Sequence, residues 1–392
     1  MINFVFLNNE LTPNGDGKFA RQGPFNDYIK KHNFSYTLDG TLKDGFKNLL
    51  PIEIDKGGYG VRDIPIGLIQ FINENDIKLL ILGLPDPTGK DAYRFSLEHL
   101  NKLGLDFNKL IYIDTNIRLK DIDTGFKHKI YTFNFFIEEA IHNTEHFYDN
   151  ENELGYISKQ IELSEINTFR NKKFLCFNRS LNKAHRFILL DEFLKGTFTD
   201  SYFSFLRPID YPVENEEFFS SYTETIVTSD QIYNYNKHIP IELDTQNVEN
   251  KTSFAVSNTL KKELFLDSCI NIATETTFAT NELFLSEKIL KPILGYQPFI
   301  VFGPHGYLVE LKKYGFKTFS DFWDESYDDI QDPVERAKKL ISLVKHLNNK
   351  TIEELNDIYR STKDICIYNR NLFYSLKNDT LKVIFEEIKN EW

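Results

Sequence analysis

Four short segments of this chain are apolar on consecutive rather than alternate residues: KLLILG at 78–83, KLIYID at 109–114, KKFLCF at 172–177 and FIVF at 299–302. A strand patterned this way buries both of its faces, which requires a parallel sheet covered by helices on each side. Parallel neighbours also need a crossover, and a helix is the usual one. Segments of helical length and pattern lie where crossovers are needed, at 64–75, 91–103, 184–194, 307–314 and 333–347. Further strands are expected at 2–7, 129–133 and 268–273, and further helices at 25–32, 135–142, 352–359 and 381–389. The pattern lapses in a polar, acidic stretch at 148–171 and restarts at Lys172, while 197–257 reads as irregular. With 392 residues, the chain is expected to form two Rossmann-like α/β domains facing across a cleft, 1–165 and 166–392.

Composition removes several alternatives. No run of 18 apolar residues is present, so no membrane-spanning helix is expected. The start, MINFVFLNNE, lacks a basic region and a full apolar stretch, and reads as a buried strand rather than a secretory signal. Cys176, Cys269 and Cys366 each lie in or beside an apolar run, with no metal-ligand spacing. They read as free buried thiols of a reducing compartment, so a cytoplasmic location is expected. The net charge of −12 opposes a broad electrostatic grip on nucleic acid. The bias toward Phe, Tyr, Ile, Asn and Lys suits an AT-rich coding sequence, as in some viruses and low-GC bacteria, and is silent on chemistry.

The stretch from Thr274 to Gly306, TETTFATNELFLSEKILKPILGYQPFIVFGPHG, reads as loop, helix, strand, loop. Ser286 is placed to cap the helix, with Glu287 and Lys288 in its first turn. Free backbone N–H groups there attract an anion, and Lys288 adds a mobile positive charge. An ionised Glu287 only accepts hydrogen bonds, which suits a pair of sugar hydroxyls. Diphosphate plus ribose is the ligand such a corner holds best; a capped amphipathic helix without a ligand is the other reading. Phe177-Asn178-Arg179-Ser180 ends a second strand, with Arg186 seven residues beyond Arg179. Loops at strand carboxyl ends bind ligands in open α/β sheets, and Arg is suited to bidentate phosphate contact. Either Arg could instead pair with Asp191 or Glu192. Glu275 and His305 follow the strands at 268–273 and 299–302 and open at the same edge, Glu275 toward a transferred sugar or as a solvated turn residue.

An acidic residue and Lys at a helix start, followed by a strand ending in Gly, resembles the donor-binding signature of the fucosyltransferase family and, more broadly, of GT-B glycosyltransferases. The resemblance covers roughly 172–326. It implies that Glu287 holds the ribose of a nucleotide sugar and Lys288 its phosphates. It further implies that Arg186 binds the phosphates, with Asn178 supporting the loop and Arg179 as a competitor. The segment GFKTFSDFWDESYD is similar to viral and phage glycosyltransferase-like proteins. The resemblance implies an inverting transfer from a GDP- or UDP-sugar to a hydroxyl of a glycan or small polyol, with no required cofactor or metal. The first domain would face the acceptor, the second would bind the donor, and the last helix would cross back to the first domain. The general base would come from the first domain, where Asp86 and Glu10 follow apolar strands, with Asp16 and His32 behind them. Two rival features remain. Asp121-Ile122-Asp123 is a DxD triplet, the metal–diphosphate signature of the other large glycosyltransferase fold. The acidic run at 321–329 is either a hard-cation site or a helix end. Transfer to modified viral DNA bases, or a nucleotide-binding module without catalysis, are the alternative functions.

Overall fold

The computed structural model describes residues 1–6, 34–37, 39–54, 59–83, 87–138, 161–181, 183–207, 220–222, 229–241, 243, 261–376 and 380–392. They fall into two compact units. One comprises Met1–Glu139, Asn281–Phe284 and Lys377–Trp392, the other Ala140–Thr280 and Leu285–Leu376.

In the first unit β1 (Ile2–Val5), β2 (Ser35–Thr37), β3 (Lys47–Ile54), β4 (Ile77–Gly83), β5 (Leu110–Asp114) and β6 (Lys129–Thr132) form a sheet ordered β2-β1-β3-β4-β5-β6. Every pairing in it is parallel. Among the described residues, helices α1 (Tyr59–Arg62), α2 (Ile66–Glu74) and α3 (Lys90–Lys102) belong to its amino-terminal part. Leu79 and Ile81 of β4 pack with Ile69, Ile72, Leu97 and Leu100 in one core. Leu80 and Leu82 belong to a second core on the opposite face. This two-sided burial is why the run is continuously apolar.

β3 has no counterpart among the strands expected from sequence; Pro51 stands inside it, and proline is excluded from most central strands. The ladder to β1 reaches only Leu49, whereas that to β4 runs on to Ile54. Among the described residues, position 51 is paired with β4 alone, so its missing N–H removes no described ladder bond to β1.

In the second unit β7 (Lys172–Ser180), β8 (Tyr202–Arg207), β9 (Ser268–Thr274) and β10 (Phe299–Phe302) form a parallel sheet ordered β10-β9-β7-β8. Its helices are α4 (Ala184–Leu194), α5 (Ser229–Asn236), α6 (Lys262–Asp267), α7 (Glu287–Leu294), α8 (Tyr307–Lys313), α9 (Pro333–Asn348) and α10 (Ile352–Ser375). β8 lies in the region read as irregular; Ser204 interrupts its apolar run, and it sits at the sheet edge. α10 runs 24 residues, far past the expected end at 359. A reciprocal capping box of Thr351 and Glu354 starts it, and no Pro or Gly interrupts it before 375. Arg170, wholly buried before β7, stacks on Tyr359 of α10 with its guanidinium carbon 3.6 Å from the ring centroid.

The final helix, α11 (Thr380–Asn390), belongs to the first unit. Its Leu381, Ile384, Phe385 and Ile388 recur at helical spacing and cover the second core. Phe385 meets the Phe4 ring edge-on at 5.2 Å. Burying such a side chain contributes about 1.5–3 kcal/mol. Cys176, Cys269 and Cys366 are free and buried, as expected, and burial pushes each thiol up to about 12. Among the described residues, no helix is long and apolar enough to cross a membrane.

Candidate functional site

Both sheets are wound from a first strand outward in two directions. In the second unit the reversal lies between β7 and β9, which pair directly. An open α/β sheet leaves a crevice beyond the carboxyl ends of such a pair. Here those ends carry Asn178 to Ser180 and Thr274 to Glu275. The Thr274 hydroxyl joins the two strands, donating to Asn178 Oδ1 at 2.8 Å. Asn178 is buried, and its N–H donates to Ser204 Oγ of β8.

α7 begins at the same edge. Ser286 is its N-cap, with Oγ accepting from the Lys288 N–H at 3.2 Å. Pro292, the sixth residue of α7, cannot donate back to the Lys288 carbonyl. Lys288 Nζ pairs with Glu287 Oε1 at 2.6 Å and lies 3.3 Å from Thr276 Oγ1 and 3.5 Å from Ser286 Oγ. The side chains of Lys288 and Glu287 are 24% and 17% exposed, so both remain reachable from solvent. Burial pushes the Glu287 carboxyl up, but the adjacent Lys288 charge and hydrogen bond outweigh it and hold the group below its ordinary value. Glu287 is therefore an ionised acceptor at neutral pH.

Glu275 turns into the unit. Its side chain is wholly buried, and its two carboxylate oxygens accept from Ser286 Oγ and from the Tyr307 hydroxyl, each at 2.5 Å. Burial is the largest influence and holds its carboxyl above the ordinary value, against the pull of Lys288 and the two hydroxyl donors. The same residue's backbone is fully used. Its N–H donates to Phe302 O, and its carbonyl accepts from Arg186 Nη2 at 3.0 Å and lies 2.9 Å from His185 Nε2. A carbonyl only accepts, so Nε2 carries the proton there. Burial and the neighbouring Arg186 hold His185 far below its ordinary value, keeping it neutral. Its ring stacks on Phe278 at 5.1 Å.

Arg186 is 6% exposed and directs Nη2 at the Thr274 and Glu275 carbonyls. Arg179 is half-buried at the end of β7, and His305 half-buried just before α8. Asp191 and Glu192, the acidic partners considered for these arginines, engage Lys195 at 2.5 Å and Lys345 at 2.9 Å.

The acidic run at 321–329 forms a turn and a short 3₁₀ helix, Ser326–Asp329. Asp328 accepts from the N–H groups of Leu308 and Val309 at 3.0 and 3.1 Å and so caps α8. Asp324 pairs with Lys339 at 2.6 Å. Among the described residues, no three His, Cys, Asp or Glu side chains are grouped as metal ligands. In the first unit the DxD triplet lies at a short 3₁₀ turn, where Asp123 caps the Gly125 N–H. Asp86, Glu10, Asp16 and His32 lie outside the described residues.

Sequence reasoning placed Ser286, Glu287 and Lys288 at the start of α7, and that is where they are. It missed Tyr307, His185 and Arg336. Arg336 is 2% exposed and donates to the carbonyls of Gly303, Ile330 and Phe278. Its partners are backbone carbonyls, two of them 33 and 58 residues away, so no side-chain motif marks it. In the first unit Asp114, at the end of β5, is wholly buried. Its Oδ1 accepts from the N–H groups of Asn116 at 2.7 Å and Thr88 at 3.2 Å.

No protein-family model matches the chain, and no curated protein matches it by sequence. Among solved structures it is similar to an α1,3-fucosyltransferase at 10% identity, covering 93% of this chain and 80% of that one, with a TM-score of 0.40. An α1,3-fucosyltransferase structure with GDP gives 10% identity, 94% and 82% coverage and 0.40. A UDP-forming α,α-trehalose-phosphate synthase from Burkholderia vietnamiensis gives 12% identity, 88% and 73% coverage and 0.40. Likeness at this level carries no information on ligand or reaction.

Proposed function

We propose that the second unit binds a nucleoside diphosphate and that the chain is a GT-B-type glycosyltransferase, transferring a sugar from a GDP- or UDP-sugar to a hydroxyl. One observation carries this: Lys288 Nζ stands beside the capped start of α7, within 2.6 Å of Glu287 and 3.3 Å of Thr276, at the carboxyl edge of a doubly wound sheet. A diphosphate arriving there exchanges one anion for another at Lys288, displacing Glu287, whose carboxylate is then free to accept from ribose hydroxyls. The N–H groups of the first turn add a positive field. In transfer, negative charge grows on the leaving diphosphate, and a fixed Lys288 stabilises it where it develops. The first unit is the acceptor side, binding a glycan or small polyol, with Asp86 or Glu10 as the base that takes the acceptor proton. The reaction inverts the anomeric centre and keeps its rate in the presence of a chelator.

Isothermal calorimetry with UDP, GDP, CDP and dTDP tests the core of the proposal. At least one should bind with micromolar affinity. No detectable heat or thermal shift with any of the four removes the donor site from Lys288 and Glu287.

A further inference from the structure

The sequence offers Glu275 either to a transferred sugar or to a solvated turn, yet its carboxylate lies wholly inside the unit. We propose that Glu275 is a positioning residue for the anion site: through Ser286 it fixes the start of α7 and the setting of Lys288, while Tyr307 anchors it from the other side. This rests on the nucleoside diphosphate reading of the same site.

The geometry leaves Ser286 little choice. A serine hydroxyl has one hydrogen and two lone pairs. With its hydrogen committed to Glu275 Oε2 at 2.5 Å, its lone pairs must face donors. Those donors are the Lys288 N–H at 3.2 Å and Lys288 Nζ at 3.5 Å. Both oxygens of Glu275 accept, one from Ser286 and one from Tyr307, so the direction of this chain of bonds is set by Glu275. The second oxygen is held by the Tyr307 hydroxyl in the first turn of α8, and α8 is itself capped by Asp328. The backbone of Glu275 ties the same point to the end of β10 and to α4. Glu275 thus locks the starts of α7 and α8 to one strand end, with no contact to the ligand itself. Hydrogen bonds to charged acceptors are about twice as strong as neutral ones, which is why a carboxylate serves here better than an amide.

Three readouts separate positioning from general structural support. Glu275→Gln preserves shape but replaces a charged acceptor by a neutral one. It should weaken inorganic pyrophosphate, and whichever of UDP, GDP, CDP or dTDP binds the wild type tightest, about five- to tenfold. Affinity for the corresponding nucleoside should stay within about twofold. Ser286→Ala should produce a similar loss. Because one residue acts through the other, the double variant should be no weaker than the worse single variant rather than showing the product of the two losses. Losses that multiply overturn the proposal, as does a Glu275→Gln protein with wild-type pyrophosphate affinity. Equal losses for nucleoside and diphosphate also overturn it, since they report general loosening. Where Glu275→Gln does not yield folded protein, Ser286→Ala alone decides: unchanged pyrophosphate affinity rejects the proposal. If the wild type binds none of the four nucleotides, the donor-site reading fails first and this inference falls with it.

Discussion

Replacing Asp114 by Asn is expected to flatten the pH dependence of stability in the first unit. Asp114 ends β5 wholly buried, against Gly83, Thr88 and Tyr112. Its Oδ2, Thr88 Oγ1 and the Tyr112 hydroxyl are buried without a well-formed hydrogen bond. Desolvation pushes the carboxyl up from 3.8 to about 7, against the pull of the Thr88 and Asn116 hydrogen bonds. The sign follows directly. Between pH 3.8 and 7 the native unit holds this proton and the unfolded chain has lost it, so stability falls as pH rises through that window. Above pH 7 the loss levels off. At 1.36 kcal/mol for each pH unit, the cost is about 1.5 kcal/mol at pH 5 and about 4 kcal/mol at pH 8. An Asn side chain keeps an oxygen for the Asn116 and Thr88 N–H groups, and its NH₂ stands in for the carboxyl proton. The stability of Asp114→Asn relative to wild type should therefore rise by about 2.5 kcal/mol from pH 5 to pH 8. Hydrogen exchange of β4 and β5 amides, corrected for intrinsic rate at each pH, measures this locally. Parallel profiles for the two proteins would refute the reasoning.

Lys288→Ala should weaken nucleoside diphosphate binding by about 1.5–3 kcal/mol, the worth of a charge-assisted bond. Glu287→Ala should weaken the nucleotide but not inorganic pyrophosphate, because it frees Lys288 from its 2.6 Å pair; calorimetry reads both. Gly83→Ala should destabilise the first unit by about 3 kcal/mol, since its Cβ would stand 1.8 Å from Asp114 Oδ2 and 2.6 Å from Thr88 Oγ1; a urea titration checks it. Asp328→Ala removes the acceptor for the Leu308 and Val309 N–H groups. It should cost about 2 kcal/mol, visible as a lower melting temperature.

Local pattern was enough wherever one segment carries its own instruction. Residues 77–83 and 299–302 are buried on both faces, and consecutive apolar residues announce that without any knowledge of neighbours. Ser286, Glu287 and Lys288 are legible for a similar reason, because capping and first-turn charge act within one turn of helix. What the sequence could not announce depends on partners distant along the chain. Pro51 fits within β3 where, among the described residues, the ladder to β1 has ended at Leu49. The family resemblance implies a returning last helix, but the contacts that seat α11 on the first unit's sheet, Phe4 and its neighbours, are set by packing from the far end of the chain. Glu275 looks in sequence like a residue opening into a ligand crevice or lying in a solvated turn. Tertiary structure turned it inward, because Ser286 and Tyr307, 11 and 32 residues away, bring two hydroxyl donors that satisfy its buried charge. Asp114 likewise ends an apolar strand like many others, and only its burial against Gly83 and Thr88 makes it titrate near neutrality.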